Sequence, residues 1–140
     1  MQREIKFRGI RKGTTNEWLY GDLSHVNGDT FIFPIDGMNS PDYYEVIPET
    51  VGQYVGQKCY HSEDDFKELY EGDKVLTING VMTCVWNNDQ CRFQLENNNV
   101  GIGFHNIDIS TQPIIGNIHD KTTGNRRNRT KEKGLIFILR

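Results

Sequence analysis

The feature that most constrains this chain is its punctuation. Short β-prone runs are broken by Gly, Asn, Asp or Pro about every eight to twelve residues, too often for a long helix and at the spacing of an all-β sandwich or barrel. Residues 4–8 alternate, with Ile5 and Phe7 on the face expected inside and Lys6 and Arg8 on the face expected in solvent. Residues 17–23 place Trp18, Tyr20 and Asp22 opposite Leu19, Gly21 and Leu23. Asn27-Gly28 marks a hairpin, because a type I′ turn needs positive φ at both central residues. The returning run TFIFPI (residues 30–35) contains Pro34, which has no N–H for a ladder, so this strand is expected to lie at an edge or to stop there. A loop over 37–48 carries Tyr43 and Tyr44, and a short strand follows around 52–55.

Residues 57–69 turn polar and charged and read as a junction. Ser62 and Asp65 are spaced like a weak capping box for one or two helical turns over 63–69. Beyond it, Asn79-Gly80 reads as the central pair of a hairpin between strands at 74–78 and 81–86. The turn NNDQ (87–90) leads into a strand over 91–96. Pairing Trp86 with Cys91, Cys84 with Phe93 and Met82 with Leu95 gathers the apolar side chains on one face and turns Arg92 and Gln94 outward. Strands near 103–109 and 114–118 complete a tightly turned set. The expected architecture is all-β. It comprises an N-terminal small β module (1–56), a charged junction (57–69), a C-terminal SH3-like barrel (70–120) and at most one short helix, followed by an atypical basic tail (121–140).

Composition excludes several alternatives. Alanine is absent beside 14 Ile, 8 Val and 10 Thr, which argues against helical bundles and coiled coils. The formal charge of −3 hides a split: residues 1–120 carry 9 basic and 18 acidic side chains, or −9, and residues 121–140 carry 7 and 1, or +6. No run approaches the roughly 20 apolar residues of a membrane-spanning helix, and the opening MQREIKFRGIRK lacks the apolar region of a signal peptide. Cys59, Cys84 and Cys91 are an odd set without framework spacing, as expected of a reducing compartment such as the cytosol.

Several blocks carry a resemblance. VGQYVG (51–56), a charged insert, LYEGDKV (69–75), a Gly-Val hairpin with a tryptophan following, and IIGNIHD (114–120) together resemble the YopX-like phage and prophage protein family. REIKFRG (3–9) and EWLYGDL (17–23) are similar to that family's usual N-terminus, so the resemblance spans residues 3–120. It implies a phage-encoded protein in a bacterial cytoplasm with a C-terminal SH3-like barrel, and it carries over no reaction, cofactor or catalytic residue. Members of that family usually end in a short acidic stretch, whereas this chain ends KTTGNRRNRTKEKGLIFILR. With AT-rich codons, skipping one nucleotide converts the start of that tail to KQPEIEE. The tail is therefore expected to be disordered or the product of a shifted reading frame.

The chemistry-bearing residues form no enzyme signature. Ser24 and His25 fall on opposite faces of a strand, Glu71 and Asp73 fall at a turn, and Gly101-x-Gly103 lacks the strand–turn–helix setting of a phosphate loop. Cys59-x-His61 and the remaining Cys and His residues lack zinc-site spacing. The expectation is a non-enzymatic binder with no catalytic residue, metal or cofactor. Its partner would be a host or phage protein, met by Tyr43, Tyr44, Tyr54 and Tyr70, with Trp18 and Trp86 as further aromatics. The alternative is nucleic acid, whose phosphates would be drawn by Arg3, Lys6 and Arg8 and by Arg126, Arg127 and Arg129. Against it stands the acidity of residues 13–120, with 4 basic and 17 acidic side chains. Unpaired sheet edges would also favour homo-oligomers.

Overall fold

The computed structural model describes residues 3–34, 42–98 and 100–120. The chain folds into two antiparallel sheets. The first contains β1 (Phe7–Ile10), β2 (Trp18–Val26), β3 (Asp29–Pro34), β4 (Tyr44–Glu45), β5 (Gly52–Ser62) and β6 (Asp65–Tyr70), in the order β4-β3-β2-β1-β5-β6. The second contains β7 (Asp73–Thr77), β8 (Gly80–Asn87), β9 (Arg92–Glu96), β10 (Gly101–Gly103) and β11 (Ile114–Asn117), in the order β10-β9-β8-β7-β11. Helical structure among the described residues is confined to three-residue 3-10 turns at Pro48–Thr50, Phe104–Asn106 and Ile109–Thr111. None is long and apolar enough to cross a membrane. The all-β expectation holds. The second sheet is open, with β10 and β11 at its two edges and no pairing between them among the described residues.

The β2–β3 turn forms as its sequence demands, with Asn27 at φ 51 and Gly28 at φ 87. Strand β3 is interior, but β4 pairs only with Phe31 and Ile32, so Pro34 ends the strand where no donor is needed on that side. Residues 57–69 contain no helix. They form most of a bent hairpin, β5–β6, whose turn passes through Asp64 at φ 60, and Lys58 faces Glu68 while Tyr60 faces Phe66. Its charged residues are largely exposed and conceal a strand period, because Cys59 and Leu69 point inward and are fully buried. They join Val75, Met82, Cys84, Leu95 and Ile109 in one apolar cluster, so the charged hairpin helps cover the second sheet. Each fully buried Leu, Val or Met contributes about 1.5–3 kcal/mol relative to exposure.

The β8–β9 register differs from expectation by two residues. Cys84 faces Leu95, Trp86 faces Phe93 and Asn87 faces Arg92. Cys91 adopts φ 52 and closes a longer loop instead of opening the strand. Strand parity survives, so Met82, Cys84 and Leu95 remain buried. Gln94 is also buried, because Asn87 and Arg92 both donate to its Oε1 at 3.0 and 3.1 Å.

Candidate functional site

A concavity of about 580 Å³ opens where β1 and β2 of the first sheet meet β6 and the edge strand β11. Arg8 forms its floor. The guanidinium lies between two rings, 4.6 Å from the Trp18 centroid and 5.0 Å from that of Tyr70. Its Nη2 approaches Asp73 Oδ1 at 2.8 Å, and both side chains are enclosed, at 8% and 4% exposure. That approach lacks hydrogen-bond alignment, and neither Nη2 nor Nε finds an acceptor among the described residues. Arg8 is therefore held by opposite charge and by two π faces. The other Asp73 oxygen, Oδ2, accepts the Tyr70 N–H at 2.8 Å, which fixes the turn between β6 and β7. Burial pushes the Asp73 carboxyl above its ordinary value, against the opposing pull of Arg8 and the Tyr70 N–H. His119 packs on the far part of this wall, 6.2 Å from the Trp18 ring, and burial with the nearby Arg8 charge lowers its affinity for a proton.

This geometry corrects the expectation that Lys6 and Arg8 share a solvated face. Arg8 is 6% exposed, Lys6 is half-buried in ion pairs with Glu68 and Glu4, and Ile5, expected inside, is 57% exposed. Strand β1 lies between β2 and β5, and its Arg8 faces β7 of the other sheet. An inward cation is tolerated there because Asp73 neutralises it.

The predicted tyrosines divide between two places. Tyr54 and Tyr70 are buried cross-strand partners on β5 and β6, with rings 5.6 Å apart, and Tyr20 meets Tyr70 edge-on at 5.5 Å. Tyr43 and Tyr44 lie at the opposite margin of the sheet. There Tyr43 packs 5.3 Å from Phe31 and 5.1 Å from Phe33, and Arg11 covers Tyr44 at 4.5 Å. Of the four, Tyr70 lines the cleft, together with Trp18 and the half-exposed Tyr20 from β2. Arg3 is exposed, while Arg126, Arg127 and Arg129 lie outside the described residues. Sequence reasoning missed Arg8, Tyr20 and Ile115 as cleft residues. No local signal marked them: Asp73 in EGDKV reads as a turn residue, and only its burial in the fold shows that it requires a counter-charge.

The buried thiols offer no reactivity. Burial pushes Cys59 up to about 12 and Cys84 higher still, whereas Cys91 is exposed. No group of three His, Cys, Asp or Glu side chains among the described residues converges as a metal site.

A family model described as YopX protein matches residues 6–123. The chain belongs to the YopX family. The match takes in both sheets and every residue of the cleft, so the arrangement of Arg8, Trp18, Tyr70 and Asp73 lies wholly inside the YopX region. No significant match is found among curated proteins or among solved structures.

Proposed function

We propose that this YopX-family protein is a phage- or prophage-encoded accessory module that acts in the bacterial cytoplasm by binding a protein partner and performs no catalysis. The cleft carries the reading. Tyr20 at 43% and Ile115 at 38% exposure present apolar surface around a floor whose charges are already compensated. Strand β11 is an edge of its sheet among the described residues. An extended segment of a partner can add main-chain hydrogen bonds to such an edge while its side chains meet the aromatic wall. Addition of a strand also covers an edge that would otherwise invite nonspecific pairing. The acidity of residues 13–120, with 4 basic and 17 acidic side chains, favours a partner with basic residues flanking the docked segment.

The test compares wild-type full chain with a Tyr20→Ala, Ile115→Lys double variant as bait in a lysate of the bacterial host. Both positions are partly exposed, so far-UV circular dichroism should be unchanged. The expected result is a discrete partner retained by wild type and lost from the variant. Equal retention by both would remove the cleft from the interaction.

A further inference from the structure

A second concavity, of about 460 Å³, has a different chemistry. It is lined by Arg3, which precedes β1, by Arg92 and Phe93 at the start of β9, by Trp86 near the end of β8, and by Phe104 and His105 of the turn after β10. No carboxylate lines it, although residues 1–120 carry a net −9. Neither Arg3 nor Arg92 forms an ion pair with a described carboxylate, in contrast to Lys6, Arg8, Arg11 and Lys12. Arg92 is oriented through its Nε, which donates to Gln94 Oε1 at 3.1 Å. The point that a Cβ on Gly103 would occupy lies 2.7 Å from Arg92 Nη1 and 2.9 Å from His105 Nδ1. The two nitrogen-bearing groups therefore pack side by side against Gly103, and a side chain at that position would push them from where they stand. Beside them stands an aromatic surface. Trp86 is 44% exposed, meets Phe93 edge-on at 5.0 Å, and is fixed by its indole N–H donating to Asn88 Oδ1 at 2.7 Å.

We infer that this cavity is a binding site for a nucleoside phosphate, with the base stacked on Trp86 and the phosphate held by Arg3, Arg92 and His105. Planar guanidinium forks match phosphate geometry, and an exposed indole face stacks any base. An acidic peptide would use the cations and leave the ring unused, so the combination favours a nucleotide. The surrounding negative charge repels a long polyanion and limits the site to a free nucleotide or a short single-stranded segment. Of the basic residues that the sequence suggested for nucleic acid, Arg3 belongs here, whereas Lys6 and Arg8 are held by carboxylates.

The experiment is an NMR titration of the full chain, following the Trp86 indole N–H, with adenosine monophosphate, adenosine, inorganic phosphate and a six-residue oligothymidylate. Adenosine monophosphate should shift that signal and bind at least tenfold more tightly than adenosine or phosphate alone. Tighter binding of the oligothymidylate would assign the site to a strand, and equal or weaker binding to a free nucleotide. Arg92→Gln and Gly103→Ala should each weaken binding about tenfold or more. Gly103 has φ −75 and ψ 154, which any residue adopts, so alanine there displaces Arg92 and His105 without straining the backbone. Failure of both adenosine monophosphate and oligothymidylate to move the Trp86 signal would overturn the proposal. So would binding that survives both substitutions, since Arg92 and His105 would then not hold the phosphate.

Discussion

Arg8 shows how far a single residue can depart from its local pattern. In residues 4–8 it alternates with Ile5 and Phe7 as a solvent-facing cation would, yet the fold buries it and exposes Ile5. Its partner Asp73 lies on the other sheet, a proximity that no window of sequence reports. Replacing Arg8 with Leu leaves Asp73 buried without its counter-charge, and removing one partner of a buried pair typically costs about 3–5 kcal/mol. Urea denaturation of R8L should show a loss of that size. Adding D73N should restore much of it, because the amide carries no charge while its oxygen can still accept the Tyr70 N–H. A loss below about 1 kcal/mol in R8L would mean that Asp73 reaches water or protonates at little cost.

At the scale of elements, turn chemistry was the most legible signal, and exact registers were the least. Asn27-Gly28 forms the expected turn. At the β7–β8 hairpin, however, Thr77 pairs with Gly80, so Ile78 and Asn79 form the turn and Gly80 alone takes positive φ, at 95. The same dipeptide thus closes two differently placed turns, and the Thr77 hydroxyl decides this one: it donates to Gly80 O and accepts from the Asn79 N–H. A Cβ at Gly80 would meet nothing within 4 Å, which isolates the backbone contribution. Gly80→Ala should therefore destabilise by about 1–2 kcal/mol, the usual cost of a left-handed conformation with a side chain. A neutral G80A measured by thermal or urea unfolding would show that the turn relaxes to another form. The β5–β6 hairpin was hidden for another reason. Its exposed residues include Lys58, His61, Asp65 and Lys67, and Lys67 even shares the face of its cross-strand partner Cys59, so the buried Cys59 and Leu69 stand out by no period in the sequence.

For the whole molecule, the all-β class followed from punctuation and β-branched content, because both act locally. The open form of the second sheet depends on which strands fail to pair, and strand count alone does not determine it. The aromatic cleft was partly visible, since Trp18 and Tyr20 share a strand face and Tyr70 precedes EGD. Its position between two sheets depends on contacts between β1, β6 and β11, which are distant in sequence. The charge split divides along the same line as the family match. The acidic residues 1–120 fall almost entirely within the YopX region, and the basic end lies almost entirely beyond it. The role proposed for this cleft is to receive a protein partner along β11. The most direct measurement places a photo-activatable amino acid at position 115 in one full-length protein and at position 78, a 96% exposed turn residue outside the cleft lining, in another. After irradiation in the bacterial host, the account predicts one discrete cross-linked protein from position 115 and none from position 78. Equal products from both positions, or none from 115, would contradict it.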